Sequence, residues 1–219
     1  MVVNDKLELG NTTVGIDGVW TLEHFSRFTR TYEQLYSAFY SQHPTILSSL
    51  DEQGEERLRR IYAAYPWRGG YSAVNFYASL RYFTPPNSRP VLKRVVYESP
   101  GIMELALVVA VALSISRVVR AVAGAGREAN ALYSEIHRGM QERKLTDLDI
   151  KRRELELTQE QLAFAREAQD RLSEVMGFPY LDALRRLTTN EVAGLKIVLS
   201  IFRRARLLGD DERGGNLRL

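Results

Sequence analysis

A mainly helical α+β fold is predicted by three features of this 219-residue chain. β-branched residues gather near residues 7–16 and 91–97, where glycine, proline and serine punctuate them. Apolar residues recur at spacings of three and four through most of the remainder. Of the 21 aromatic residues, 16 fall between Trp20 and Tyr97, which sets the first hundred residues apart from the rest.

Leu7 to Ile16, broken by Gly10 and Gly15, reads as a short strand or hairpin. Thr21 can cap a helix with Glu23 in its first turn, and Phe25, Phe28, Tyr32, Leu35 and Phe39 repeat at helical spacing until Pro44. A second helix is expected from about Glu55 through Ile61 to Ala64, stopped by Pro66. A third is expected from about Tyr71 to Phe83, stopped by Pro85-Pro86, with Phe76, Leu80 and Phe83 in the core. Val91 to Tyr97 then reads as a strand.

Ser99-Pro100-Gly101 marks the expected domain join, because proline fixes its own φ and glycine permits a left-handed turn. This divides the chain into a sensor-like α+β domain, residues 1–100, and a helical oligomerising or membrane-associating region, residues 101–219. Ile102 to Ala125 reads as one apolar helix. Glu142 to Glu174 is densely charged, with Leu148, Leu155 and Leu162 a heptad apart, as in a helical stalk or hairpin arm that Gly177 and Pro179 break. The last helix is expected to start at a capping box, Thr188 with Glu191. It carries Val192, Leu195, Val198, Leu199 and Phe202 on one face and Lys196, Arg203, Arg204 and Arg206 at its polar edge and C-terminal end. The segment from Gly209 to Leu219 is expected to fray.

Thirty basic side chains against 27 acidic ones leave a net charge of only +3, so bulk duplex binding is not indicated. The chain has no cysteine, which removes disulfides, thiolate nucleophiles and cysteine-held metals. Phosphate-loop, dinucleotide, zincin and nucleophile-elbow motifs are all missing. His24, His43 and His137 have no second ligand at helical spacing, so no metal and no cofactor are assigned. A non-enzymatic protein of the cytoplasm or bacterial inner membrane is the expectation.

Two constellations carry that expectation further. Arg68, Tyr71, Asn75 and Tyr82 fall on one side of the helix opened by Trp67-Arg68-Gly69-Gly70, and Lys93 and Arg94 extend the basic surface. Arginine beside aromatic rings suits an anionic nucleotide or single-stranded oligonucleotide. In the apolar helix, Glu104, Ser114, Arg117, Arg120 and Arg127 share one polar stripe that a homo-oligomer could turn into a water-filled path. Twenty-four residues would span about 36 Å, enough for a bilayer core of about 30 Å. Ala106, Ala110 and Ser114 are small residues four apart, the spacing that lets helices approach closely. The alternative is a soluble oligomeric scaffold or nucleic-acid-binding protein with this helix buried between protomers.

The segment Val95-Val96-Tyr97-Glu98-Ser99-Pro100-Gly101, followed by Ile102 to Val122, resembles a loose class of small bacterial proteins, some associated with anti-phage defence. In these an α+β sensing region ends in a strand and a Ser-Pro turn that leads into an apolar helix. The resemblance implies an oligomeric, channel-like membrane effector set by a nucleotide or oligonucleotide signal that a partner enzyme makes. Arg117 and Arg120 interrupt the span, and no long second hydrophobic segment follows it.

Overall fold

The computed structural model describes residues 7–64, 70–98, 100–146 and 157–219. The chain runs β1 (Leu9–Ile16), α1 (Leu22–Gln42), α2 (Pro44–Ser49), α3 (Glu52–Ala64), α4 (Gly70–Phe83), a 3₁₀ turn (Pro86–Ser88), β2 (Val91–Val96) and β3 (Gly101–Val108). It continues through α5 (Val109–Glu142), α6 (Gln159–Met176), α7 (Leu181–Leu187), α8 (Glu191–Arg213) and β4 (Leu217–Arg218). The strands form one antiparallel sheet in the order β2-β3-β1-β4. The fold is therefore α+β and mainly helical.

The apolar run after Pro100 is not one helix. From Gly101 to Val108 its side chains alternate: Met103, Leu105 and Leu107 are buried while Ile102 is exposed, the two-residue period of a half-buried strand. The helix starts only at Val109, so Ala106 is separated from Ala110 and Ser114 and the small-residue seam does not run along a single helix. The expected join at 100/101 falls between two paired strands, since Val96 of β2 faces Ile102 of β3. One hydrophobic core contains Phe39, Tyr77 and Leu80 from the first hundred residues together with Ile115, Leu172 and Phe202 from the rest.

Pro44 ends α1 as expected, but it also begins α2, where its missing N–H is no loss and the His43 side chain caps. Tyr36 ties α1 to the sheet: its hydroxyl accepts from the Val108 N–H at 3.0 Å and donates to the Ser88 carbonyl at 2.7 Å. The capping box lies at Thr158 and Gln161, at the start of α6. Thr188 instead follows the end of α7, and Asn190 caps α8. Leu162 of the expected heptad is half-buried in α6, whereas Leu148 and Leu155 lie outside the described residues.

Helix α8 is the centre of the helical layer, with every residue from Val192 to Phe202 buried. It packs against α1, α5 and α6. Truncating a fully buried residue such as Ile197 or Ile201 to Ala would cost about 2–5 kcal/mol. Rather than fraying, α8 continues to Arg213 and the chain returns as β4, with Leu217 and Leu219 buried. Helix α5 bends at Gly126, whose φ of 48° is open to glycine but strained for other residues.

Candidate anion-binding groove

Helices α1 and α4 pack side by side and leave an open groove of about 360 Å³ between them. Arg30, Glu33 and Gln34 line it from α1, and Val74, Tyr77, Ala78 and Arg81 from α4. These positions recur at three, four and seven residues, so each set forms one helical face. Glu33 pairs with Arg81 at 2.7 Å across the groove. Arg30 makes no ion pair among the described residues, and together with Glu33 it also borders a second groove of about 340 Å³ that reaches Leu92 and Leu105.

The groove's Gln34 and Tyr77 hold a third guanidinium, that of Arg204 on α8. Its Nε donates to Gln34 Oε1 at 2.6 Å, and its Nη1 donates to the Ser200 carbonyl at 3.0 Å and to Ser200 Oγ at 2.7 Å. Its Cζ lies 3.8 Å from the Tyr77 ring centre, a cation–π contact, and the Tyr77 hydroxyl donates to Ser200 Oγ at 3.4 Å. Among the described residues no carboxylate lies within ion-pair distance of Arg204. Burial is the main influence on this guanidinium and holds its pKa below the usual value. Its described contacts, Gln34, Ser200 and Tyr77, are neutral, and the nearby Arg203 charge lowers the pKa further.

Of the residues expected to bind a ligand, Asn75, Tyr82, Lys93 and Arg94 do not line this groove. Arg68 is outside the described residues, and Tyr71 is in the first turn of α4 with its side chain undescribed. Asn75 and Tyr82 are exposed on α4, each one position after a lining residue and hence about 100° further round the helix. Lys93 and Arg94 are exposed on the edge strand β2; Arg94 stands opposite Glu104 on β3, and the pairing is irregular between Leu92 and Arg94.

Of the expected polar stripe, Ser114, Arg117, Arg120 and Arg127 lie on α5, but Glu104 does not. Glu104 belongs to β3 and accepts from Asn11 Nδ2 at 2.8 Å. Ser114 donates to the Ala110 carbonyl at 3.0 Å, and its hydroxyl lies 2.9 Å from that of Tyr180. Arg120 donates to the Leu219 carbonyl and lies 3.5 Å from Glu212, joining α5 to the end of α8. Arg117 and Arg127 are exposed on α5 without an ion pair among the described residues. Glu104, Ser114 and Arg120 thus serve contacts within one chain.

Three contributors, Gln34, Tyr77 and Arg204, were not among the expected site residues. Arg204 sits in sequence between Arg203 and the Ala205-Arg206 pair at the polar end of a helix, which reads as a solvated edge. The signal that could have found it is Ser200, four residues earlier and thus one turn away on the same face. No group of three or more histidine or acidic residues that could hold a metal occurs among the described residues. No protein-family model, curated protein or solved structure matches the chain, so the likeness of residues 95–122 to defence effectors rests on those residues alone.

Proposed function

We propose that this chain is a non-enzymatic effector in which an anionic ligand binds the α1–α4 groove and controls association with further copies. The observation that carries this reading is Arg204, partly buried with no acid partner among the described residues, beside a groove that Arg30 and Arg81 line. Buried charge is costly unless compensated, and an anion arriving from solvent would supply that compensation. Arg204 stands on the helix that forms the centre of the helical layer, so a ligand felt there acts on α8 and on the α5 it packs against. The exposed side of α5, with Leu113, Arg117 and Arg127, is the surface offered to a second copy.

The reading is tested by titrating inorganic pyrophosphate into the full chain while following mass by light scattering. Saturable binding with a change in mass supports it; an unchanged monomer that ignores pyrophosphate contradicts it.

A membrane-associated reading has one observation in its favour: α5 is long and apolar enough to cross a bilayer. Two-thirds of its most apolar stretch is not buried within the chain. Against this, the helix presents Arg117 and Arg120 on its exposed side and buries Val111, Ile115, Val118 and Val122 against the chain's own core. Co-sedimentation with anionic liposomes separates the two readings, since binding there favours the membrane.

A further inference from the structure

Charge in the α1–α4 groove is out of balance. Among the described residues Arg30 and Arg81 line it against one carboxylate, Glu33, an excess of one positive charge, and Arg204 adds a second from behind the wall, where it contacts the lining Gln34 and Tyr77 without an acid in ion-pair distance. Resting on the reading of this groove as the ligand site, we infer that it takes a dianionic phosphate group and that Glu33 is a built-in competitor for it. A phosphate dianion matches the excess, and its oxygens accept several N–H bonds from separate arginines at once. A single carboxylate ligand would leave one charge unmatched.

Glu33 already occupies Arg81 through one Nε contact at 2.7 Å, with the two side chains 37% and 49% exposed. Exposed pairs of this kind are weak and screened by salt, so a stronger anion can displace the carboxylate. Glu33 therefore sets a threshold: it keeps Arg81 paired when the ligand is scarce and excludes weak monoanions. Val74, 57% exposed on the α4 wall, gives an apolar surface beside the arginines. The phosphate could accordingly belong to a free polyphosphate or to a nucleotide.

Calorimetric titration of the full chain distinguishes these outcomes, with inorganic pyrophosphate, a nucleoside diphosphate and acetate as probes and thermal unfolding as the check on folding. Glu33→Gln should tighten pyrophosphate binding by roughly two- to fivefold, and Arg30→Gln or Arg81→Gln should weaken it by about tenfold. Tighter binding of the nucleotide than of pyrophosphate supports the site and assigns it a nucleotide; equal binding supports it and assigns a bare phosphate group. Unchanged or weaker binding by Glu33→Gln, or acetate binding as tight as pyrophosphate, overturns the inference while leaving an anion groove in place. Absence of phosphate binding by the parent and Glu33→Gln proteins alike overturns the underlying reading as well.

Discussion

The guanidinium of Arg204 rests 3.8 Å from the centre of the Tyr77 ring, and both side chains bond to the hydroxyl of Ser200. This joins α4 to α8 through a charge that no acid among the described residues neutralises. Removing its two members should have unequal effects. Arg204→Ala strips a partner from Gln34 and Ser200 and should lower stability by about 1–3 kcal/mol. Tyr77→Phe keeps the ring beneath the cation and should cost about 0.5–1.5 kcal/mol. Urea unfolding of the two variants measures the difference.

Acid should loosen the corner between α1 and α2. His43 Nδ1 accepts from the Thr45 N–H at 3.3 Å, which requires an unprotonated nitrogen, and burial lowers its pKa from the ordinary 6.5. Because the folded pKa is depressed, the unfolded chain takes up the proton first. The contribution to stability is full above about pH 6.5 and is lost as pH falls through the lower folded value. His43→Asn preserves a capping oxygen without titrating, so its melting temperature should fall less than the parent's over this window.

Two neighbouring positions on α5 report which solvent its outer side meets. Leu113 is 51% exposed and Ile115 is fully buried. In a water-facing helix Leu113→Glu should change stability by less than about 0.5 kcal/mol, whereas Ile115→Glu buries an unpaired carboxylate and should prevent folding or cost more than about 4 kcal/mol. In a membrane-spanning helix Leu113→Glu would instead be costly, because it would set a carboxylate against lipid. Expression and unfolding of both variants in detergent-free buffer measure this.

Local chemistry made the helix starts and stops readable: Thr21 caps α1, Gly177 ends α6 in the left-handed conformation, and the apolar spacing of Phe28, Tyr32, Leu35 and Phe39 identified the buried face of α1. The strand β3 was hidden because its apolar inward residues run without a break into the apolar start of α5, and a short apolar run has no distinct period. Leu217 looked like part of a polar end because a two-residue strand is defined by its partner β1, far away in sequence. Arg68 and Tyr71 pointed to α4, but its groove-lining face is set by α1, a tertiary fact. Arg204 was illegible for the same reason: nothing local says that Gln34, 170 residues earlier, will accept its hydrogen bond.

Backbone amide NMR of the labelled full chain during titration with inorganic pyrophosphate tests the groove most directly. Saturable shifts centred on Gln34, Tyr77, Ala78, Arg81 and Arg204 are expected, with Arg204→Lys weakening the response. Shifts confined to Lys93 and Arg94, or no saturable shift at all, would refute an anion site between α1 and α4.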